Sequence, residues 1–223
     1  MTDKTTKKTY KIDLHTHSTL SKDGGVSVRE YKRILESGKL HYVVVTDHNE
    51  IDFALELHKE LGAHLIVGEE IKTKEGEIIG LFLTKKIEPF QSFEATLDQI
   101  HAQNGITYLP HPFDTRRSGV NEQVAAKFVD KIDIIERFNA RIITPGVHTK
   151  IAEFNRNYKK PFAAGSDSHS VWEIGNTYTV IKSMPDKNNF VELLKSPELR
   201  THRVGLRGFL APTWNKFKKS LKK

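Results

Sequence analysis

The sequence predicts an α/β protein built mainly from parallel βαβ units. Three observations predict it. Short Val/Ile/Leu runs recur along the chain, and continuous runs of that kind mark strands buried on both faces. Segments of helical periodicity lie between most of them. The polar residues with chemical capability gather where the apolar runs end. Barrels and open α/β sheets both build their sites at such strand ends.

Taken in order, "YKIDLH" is the first strand. "SVREYKRILESGKL" follows as a helix, opened by Ser27 and Glu30 at capping-box spacing, with an apolar stripe of Val28, Tyr31, Ile34 and Leu35. "HYVVVTD" is the next strand, and "IDFALELHKELG" a helix stopped by Gly62. "HLIVGEEI" and "EIIGLFLT" are strands whose short polar link predicts a hairpin rather than a crossover. A helix between Ser92 and Gly105 leads to the strand "GITYLP". The remaining strands are "KIDIIERF", "PFAAGSD" and "TYTVIK"; the remaining helices are "NEQVAAKFVDK", "GVHTKIAEFNRNY" and "NNFVELLK".

With 223 residues, 37% hydrophobic and 28% charged, the chain is long enough to bury a substantial core and has an ordinary soluble composition. No apolar segment reaches the roughly 18 residues that span a bilayer. Residues 1–9 read as a frayed basic tail without the apolar core of a signal peptide, 10–205 as one domain, and 206–223 as a basic, helical extension. The absence of cysteine excludes disulfides, thiolate metal sites and cysteine catalysis, and favours a cytoplasmic location. The net charge of +7, partly in "WNKFKKSLKK", attracts anions, although a solvated helix face is the simpler reading of that tail.

The strand ends carry the chemistry. In "DLHTH", His15 and His17 are two apart and project to one side of a strand, a side that Asp13 shares by alternation. "VVVTDH" ends in Asp47 and His48, and "LIVGEEI" in Glu69 and Glu70. Burying either glutamate without a counter-charge is costly, and a cation removes the cost. "YLPHPFDTRR" sets His111 between two prolines with Arg116 and Arg117 close behind, and "AAGSDSH" repeats the two-apart spacing with Asp167 and His169. A surface or turn role accounts for any one of these, but not for all at successive strand ends. Together they predict a metal site of imidazoles and carboxylates, suited to manganese, zinc or iron, with Asp13 and Asp47 orienting the ligands. His41, His58, His64, His101, His148 and His202 are read as ordinary surface or core residues. Phosphate-loop, nucleophile-elbow, "HExxH" and dinucleotide fingerprints are absent.

In order, "DLHTHSTLSKDG", "VVVTDH", "VGEEI" leading to "HPF", and "GSDSH" resemble the blocks of the PHP (polymerase and histidinol phosphatase) family of metal-dependent phosphoesterases, over about residues 10 to 182. The resemblance implies a distorted seven-stranded β/α barrel with two or three divalent ions at the C-terminal ends of its strands. It assigns His15, His17, Glu70 and Asp167 to one ion, Glu70 and His111 to a second, and Asp23, His48 and His169 to a third. Gly68 fixes the register that selects Glu70 over Glu69. Asn139 aligns where many relatives place a histidine, so the second ion loses a strong ligand.

The expected activity is hydrolysis of a phosphate ester by water activated on the metals, with Arg116 and Arg141 gripping the phosphate in preference to Arg117. A small nucleotide or another phosphomonoester is the favoured substrate, ahead of histidinol phosphate. The alternatives are phosphodiester or 5′-3′ exonuclease activity on short nucleic acid, another hydrolysis such as an amidase reaction, and a non-catalytic nucleic-acid-binding accessory using the basic tail. No membrane partner is expected, and oligomeric state is not readable.

Overall fold

The computed structural model describes residues 8–221; most of the expected N-terminal tail lies outside that range. Nine strands form one sheet: β1 (Tyr10–Thr16), β2 (Tyr42–Val45), β3 (Leu65–Lys72), β4 (Glu77–Leu81), β5 (Ile106–Leu109), β6 (Ile134–Asn139), β7 (Phe162–Gly165), β8 (Tyr178–Ile181) and β9 (Glu198–Arg200). Their spatial order is β7-β6-β5-β4-β3-β2-β1-β8-β9. β1, β2 and β3 run parallel, as do β5, β6 and β7; β4 lies antiparallel between the two groups.

The sheet curls until its ends meet. Thr16 bridges Ser168 just beyond β7, and the His17 N–H donates to the Ser168 carbonyl at 2.9 Å. The result is a nearly closed barrel with β1 to β7 as its wall. β8 and β9 add an antiparallel flap beside β1, so the sheet has two strands more than the seven expected of the barrel. β9 is three residues, "ELR", with exposed ends, too short and polar to register as an apolar run.

The helices are α1 (Val28–Glu36), α2 (Asp52–Leu61), α3 (Phe93–Ala102), α4 (Glu122–Lys127), α5 (Val147–Tyr158), α6 (Phe190–Leu193) and α7 (Leu206–Ser220). Their starts follow local chemistry. The Glu30 carboxylate accepts the Ser27 N–H at 2.7 Å, and the Ser92 and Asn121 side chains accept N–H groups of the first turns of α3 and α4.

Apolar side chains form two layers. Val43, Val45, Val67 and Ile135 pack against Tyr31, Leu57, Leu97 and Ile151 of the helices. Ile12, Leu14, Tyr42, Val44, Ile66, Tyr108 and Ile134 fill the opposite face of the sheet. Alternating residues of the same strands thus enter both layers, which is why those strands read as continuous apolar runs. Among the described residues, no helix is long and apolar enough to cross a membrane.

Candidate metal centre

Two irregular strands aim the site. Asp13 pairs with Val43 and Thr16 with Val45, three steps on β1 against two on β2. Such an extra residue is a β-bulge, which reverses the alternation beyond it. Val43 and Val45 share a face, so Asp13 and Thr16 do too. His15 and His17, flanking Thr16, therefore point to the other face, and Asp13 does not share their side as simple alternation predicts. β6 repeats the device. Glu136 pairs with Ala163 but Phe138 with Ala164, so Glu136 and Asn139 both face the cluster. Gly165 leaves room for this: a Cβ there would lie 2.1 Å from Glu136 Oε1 and 2.7 Å from His15 Cβ.

The predicted ligands converge. His15 Nε2 lies 3.3 Å from Glu70 Oε2 and 3.8 Å from Asp167 Oδ1. His17 Nε2 lies 3.4 Å from each of the same two oxygens. His111 Nε2 approaches Glu70 Oε1 at 2.8 Å, and His48 Nδ1 approaches Glu70 Oε2 at 3.1 Å. Asp23 Oδ1 faces His48 Nε2 at 3.7 Å and His169 Nε2 at 3.5 Å. Among the described residues, four triplets have donor atoms all within 4.8 Å of one another: His17–His48–His169, His15–His111–Asp167, His15–His17–Glu70 and Glu70–Glu77–His111.

A cation fits this donor set. Both imidazole nitrogens of His17, Nδ1 of His111 and Oδ1 of Asp167 are buried without a hydrogen-bond partner. Such atoms are costly to bury unless something absent from the protein chain satisfies them. The titration pattern agrees. Burial, with His169 beside it, holds the His17 imidazole down to about 4, so it is a neutral lone-pair donor at pH 7. Burial also pulls on His15, but Asp167, Glu70 and Glu136 outweigh it and hold that imidazole well above its ordinary range. Glu70 and Asp167 are buried yet held well below the usual carboxylate range, Glu70 by His48 and His15, Asp167 by Arg117 and His15. Burial, reinforced by Glu70, pushes Glu77 up to about 7.

Other expected residues have different surroundings. Asn139 turns its amide nitrogen, not its oxygen, toward the carboxylates: Nδ2 donates to Glu136 at 2.9 Å and to Asp167 at 3.1 Å, while Oδ1 accepts the Arg141 N–H at 2.8 Å. An amide held this way offers no lone pair to an ion. Arg116 is exposed, and the arginine that enters the cluster is Arg117, ion-paired with Asp167. Arg141 is buried in a pair with Glu173 and donates to two carbonyls of α7. Asp13 and Asp47 brace backbone instead of imidazoles. Asp13 accepts from the N–H groups of Ser166 and Gly175, and Asp47 from the N–H and hydroxyl of Ser18. Glu69 faces away from the cluster and accepts the Ile87 N–H at 2.9 Å.

Sequence reasoning missed two acids. Glu136 bonds to His15 Nδ1 at 3.1 Å, the Tyr108 hydroxyl at 3.0 Å and the His111 N–H at 2.6 Å. Its signal was a charge inside the apolar run "KIDIIERF". Glu77 Oε2 lies 3.8 Å from His111 Nε2. It is the first residue of β4, and because β4 runs against β3 its beginning lies beside the end of β3 that carries Glu70. A search of strand ends passes over it.

A family model described as PHP-associated matches residues 145–198. An uncharacterised protein of Methanocaldococcus jannaschii is 34% identical over 208 residues, covering 87% of this chain and 81% of that protein. Among solved structures, a two-domain protein from Bacteroides vulgatus containing a predicted PHP-like metal-dependent phosphoesterase is similar, with a TM-score of 0.68 at 20% identity over 94% of this chain and 70% of its own. A lesion-specific endonuclease from Pyrococcus furiosus is similar at a TM-score of 0.62 and 13% identity, over 86% of this chain and 58% of the endonuclease. With its barrel, its ordered sequence blocks and these relatives, the chain belongs to the PHP-domain family.

Proposed function

We propose that the protein is a metal-dependent phosphoesterase whose favoured substrate is a small nucleotide or another phosphomonoester. The observation that carries this reading is the convergence of His15, His17, Glu70 and Asp167, with unpartnered donor atoms among them, beside the guanidinium of Arg117.

In this reading His15, His17, Glu70 and Asp167 hold one cation. Glu70, His111 and Glu77 hold a second, with Glu77 supplying the charge that Asn139 does not. Asp23, His48 and His169 hold a third. Divalent ions of the manganese, zinc or iron type supply Lewis acidity and lower the pKa of coordinated water. The chain supplies the rest. Glu136 fixes the ring of His15 and the backbone of His111, so neither imidazole reorients when substrate arrives. Arg117, mostly buried but 22% exposed along its side chain, presents a forked donor to phosphoryl oxygens and neutralises their charge. Lys216 and Lys219 of α7, against the Asp23 loop, favour a second reading, a phosphodiester at the end of a short nucleic acid.

The test is a panel of phosphomonoesters, phosphodiesters and amides offered to chelator-stripped protein with manganese, zinc or iron added back. Phosphate release that returns with metal supports the reading, and the preferred ester separates its two forms. His17→Ala and Asp167→Ala are expected to abolish turnover while the protein stays folded. Undiminished turnover in either removes the site.

A further inference from the structure

α7 lies beyond the residues matched by the PHP-associated model, yet it is fastened to the two loops that carry Asp23 and His169. Asn215 is half-buried on α7, and its single Nδ2 donates to the Asp23 carbonyl at 2.9 Å and to the His169 carbonyl at 2.8 Å. One amide thus clips together two loops that meet nowhere near each other in sequence. Gly25 permits the approach: a Cβ there would lie 2.7 Å from Asn215 Nδ2 and 2.8 Å from the His169 carbonyl oxygen.

Neighbouring contacts act in the same direction. Lys219 donates to the Ser21 carbonyl and, at 2.8 Å, to the Gly24 carbonyl, holding the Asp23 loop from both sides. Lys216 Nζ sits 3.2 Å from Asp23 Oδ2, which leaves Oδ1 facing His48 and His169. At the other end of α7, Arg141 donates to the Gly208 and Phe209 carbonyls and pairs with Glu173. Glu173 accepts the His169 N–H at 3.0 Å. Of the three proposed cation positions, the one formed by Asp23, His48 and His169 therefore has two ligands on loops tied to α7.

We propose that α7 is a working part of that third position, and that Asn215 is a positioning residue holding the Asp23 and His169 loops at ligating distance. The proposal rests on reading Asp23, His48 and His169 as a cation position. A dication draws its ligands together most tightly when their backbones are already fixed, and loss of an outer partner of this kind typically costs about 10–100-fold in metal affinity. The effect is local because His15 stands on β1 and Glu70 on β3, and Asn215 touches neither strand.

The experiment uses the full chain, stripped with chelator and titrated with manganese by calorimetry, with bound metal counted by elemental analysis. Asn215→Leu and Asn215→Ala are compared with wild type, and Lys218→Ala, an exposed change on the same helix, is the control. Wild type and control are expected to load alike. Both Asn215 variants are expected to lose at least about tenfold in affinity for one equivalent only, with unchanged melting of the metal-free protein. Variants that load every equivalent like wild type overturn the proposal and leave the metal reading standing. Loss of all equivalents together with lowered melting shows general destabilisation and also overturns it. Wild-type protein that binds no manganese, zinc or iron overturns the metal reading itself, and the proposal with it.

Discussion

Glu136 Oε1 lies 3.1 Å from His15 Nδ1, and this contact turns the other ring nitrogen, Nε2, toward Glu70 and Asp167. The same carboxylate accepts the His111 N–H through its second oxygen, so one buried acid braces two histidines of the cluster. Glu136→Gln keeps the size and an acceptor but discards the charge that holds the imidazole in one orientation. Manganese affinity is expected to fall by about 10–100-fold, read by calorimetry on stripped protein. Unchanged affinity would show that His15 needs no such brace.

In the proposed reading Glu77 belongs to the second cation position. Its carboxylate is mostly buried beside Glu70 and pushed up to about 7, a tension that a cation between the two acids would relieve. Glu77→Gln is expected to lower bound metal by one equivalent per chain, counted by elemental analysis after dialysis. An unaltered count would remove Glu77 from the centre.

Arg117 and Arg116 are adjacent but have different surroundings. Only Arg117 reaches Asp167. Arg117→Lys retains the charge and loses the fork, and kcat/KM for a phosphomonoester is expected to drop roughly 10–100-fold, the worth of one or two charge-assisted hydrogen bonds. Arg116→Ala is expected to change it by less than about twofold. Equal losses in the two variants would mean that the guanidinium in the cluster has no special part in turnover.

Much of this was legible beforehand, and the parts that were not share a cause. The convergence of His15, His17, His48, Glu70, His111, Asp167 and His169 was readable because parallel strands deliver their ends to one rim, and the apolar run before each motif located that end. Asp13 was misplaced because a one-residue bulge leaves no trace in hydrophobic periodicity. Glu136 was hidden as a lone charge within an apolar run, and the matching bulge in β6 brings Asn139 onto its face. Arg141 looked available because it lies two residues past Asn139; only tertiary structure shows it committed to Glu173 and α7. Asn139 was read as a ligand by its alignment alone, while its amide orientation is set by Glu136 on the same strand and by Asp167.

Glu69 offers a pH test outside the cation cluster. It is fully buried on the opposite face from Glu70, and burial pushes its carboxyl up to about 7. The folded protein therefore keeps a proton that the unfolded chain releases above about 4.5. Stability contributed by the neutral acid is present below that value and is lost as pH rises toward 7. At about 1.4 kcal/mol per pH unit the window is worth on the order of 3 kcal/mol at most. Glu69→Gln cannot ionise. The melting temperature of the chelator-treated variant is expected to exceed that of wild type increasingly between pH 5 and 8. Parallel curves would show that Glu69 is solvated or paired when charged.

The additional residue in β1 also limits how this centre can be transplanted. Grafting the "HTH" segment onto a regular strand of another barrel would send Asp13 and both histidines to one face, and the imidazoles would lose either their common target or the acid that anchors the neighbouring loop. The chain's reactive geometry is thus inherited through an irregular hydrogen-bond ladder as much as through the ligands themselves, and a successful graft has to carry both.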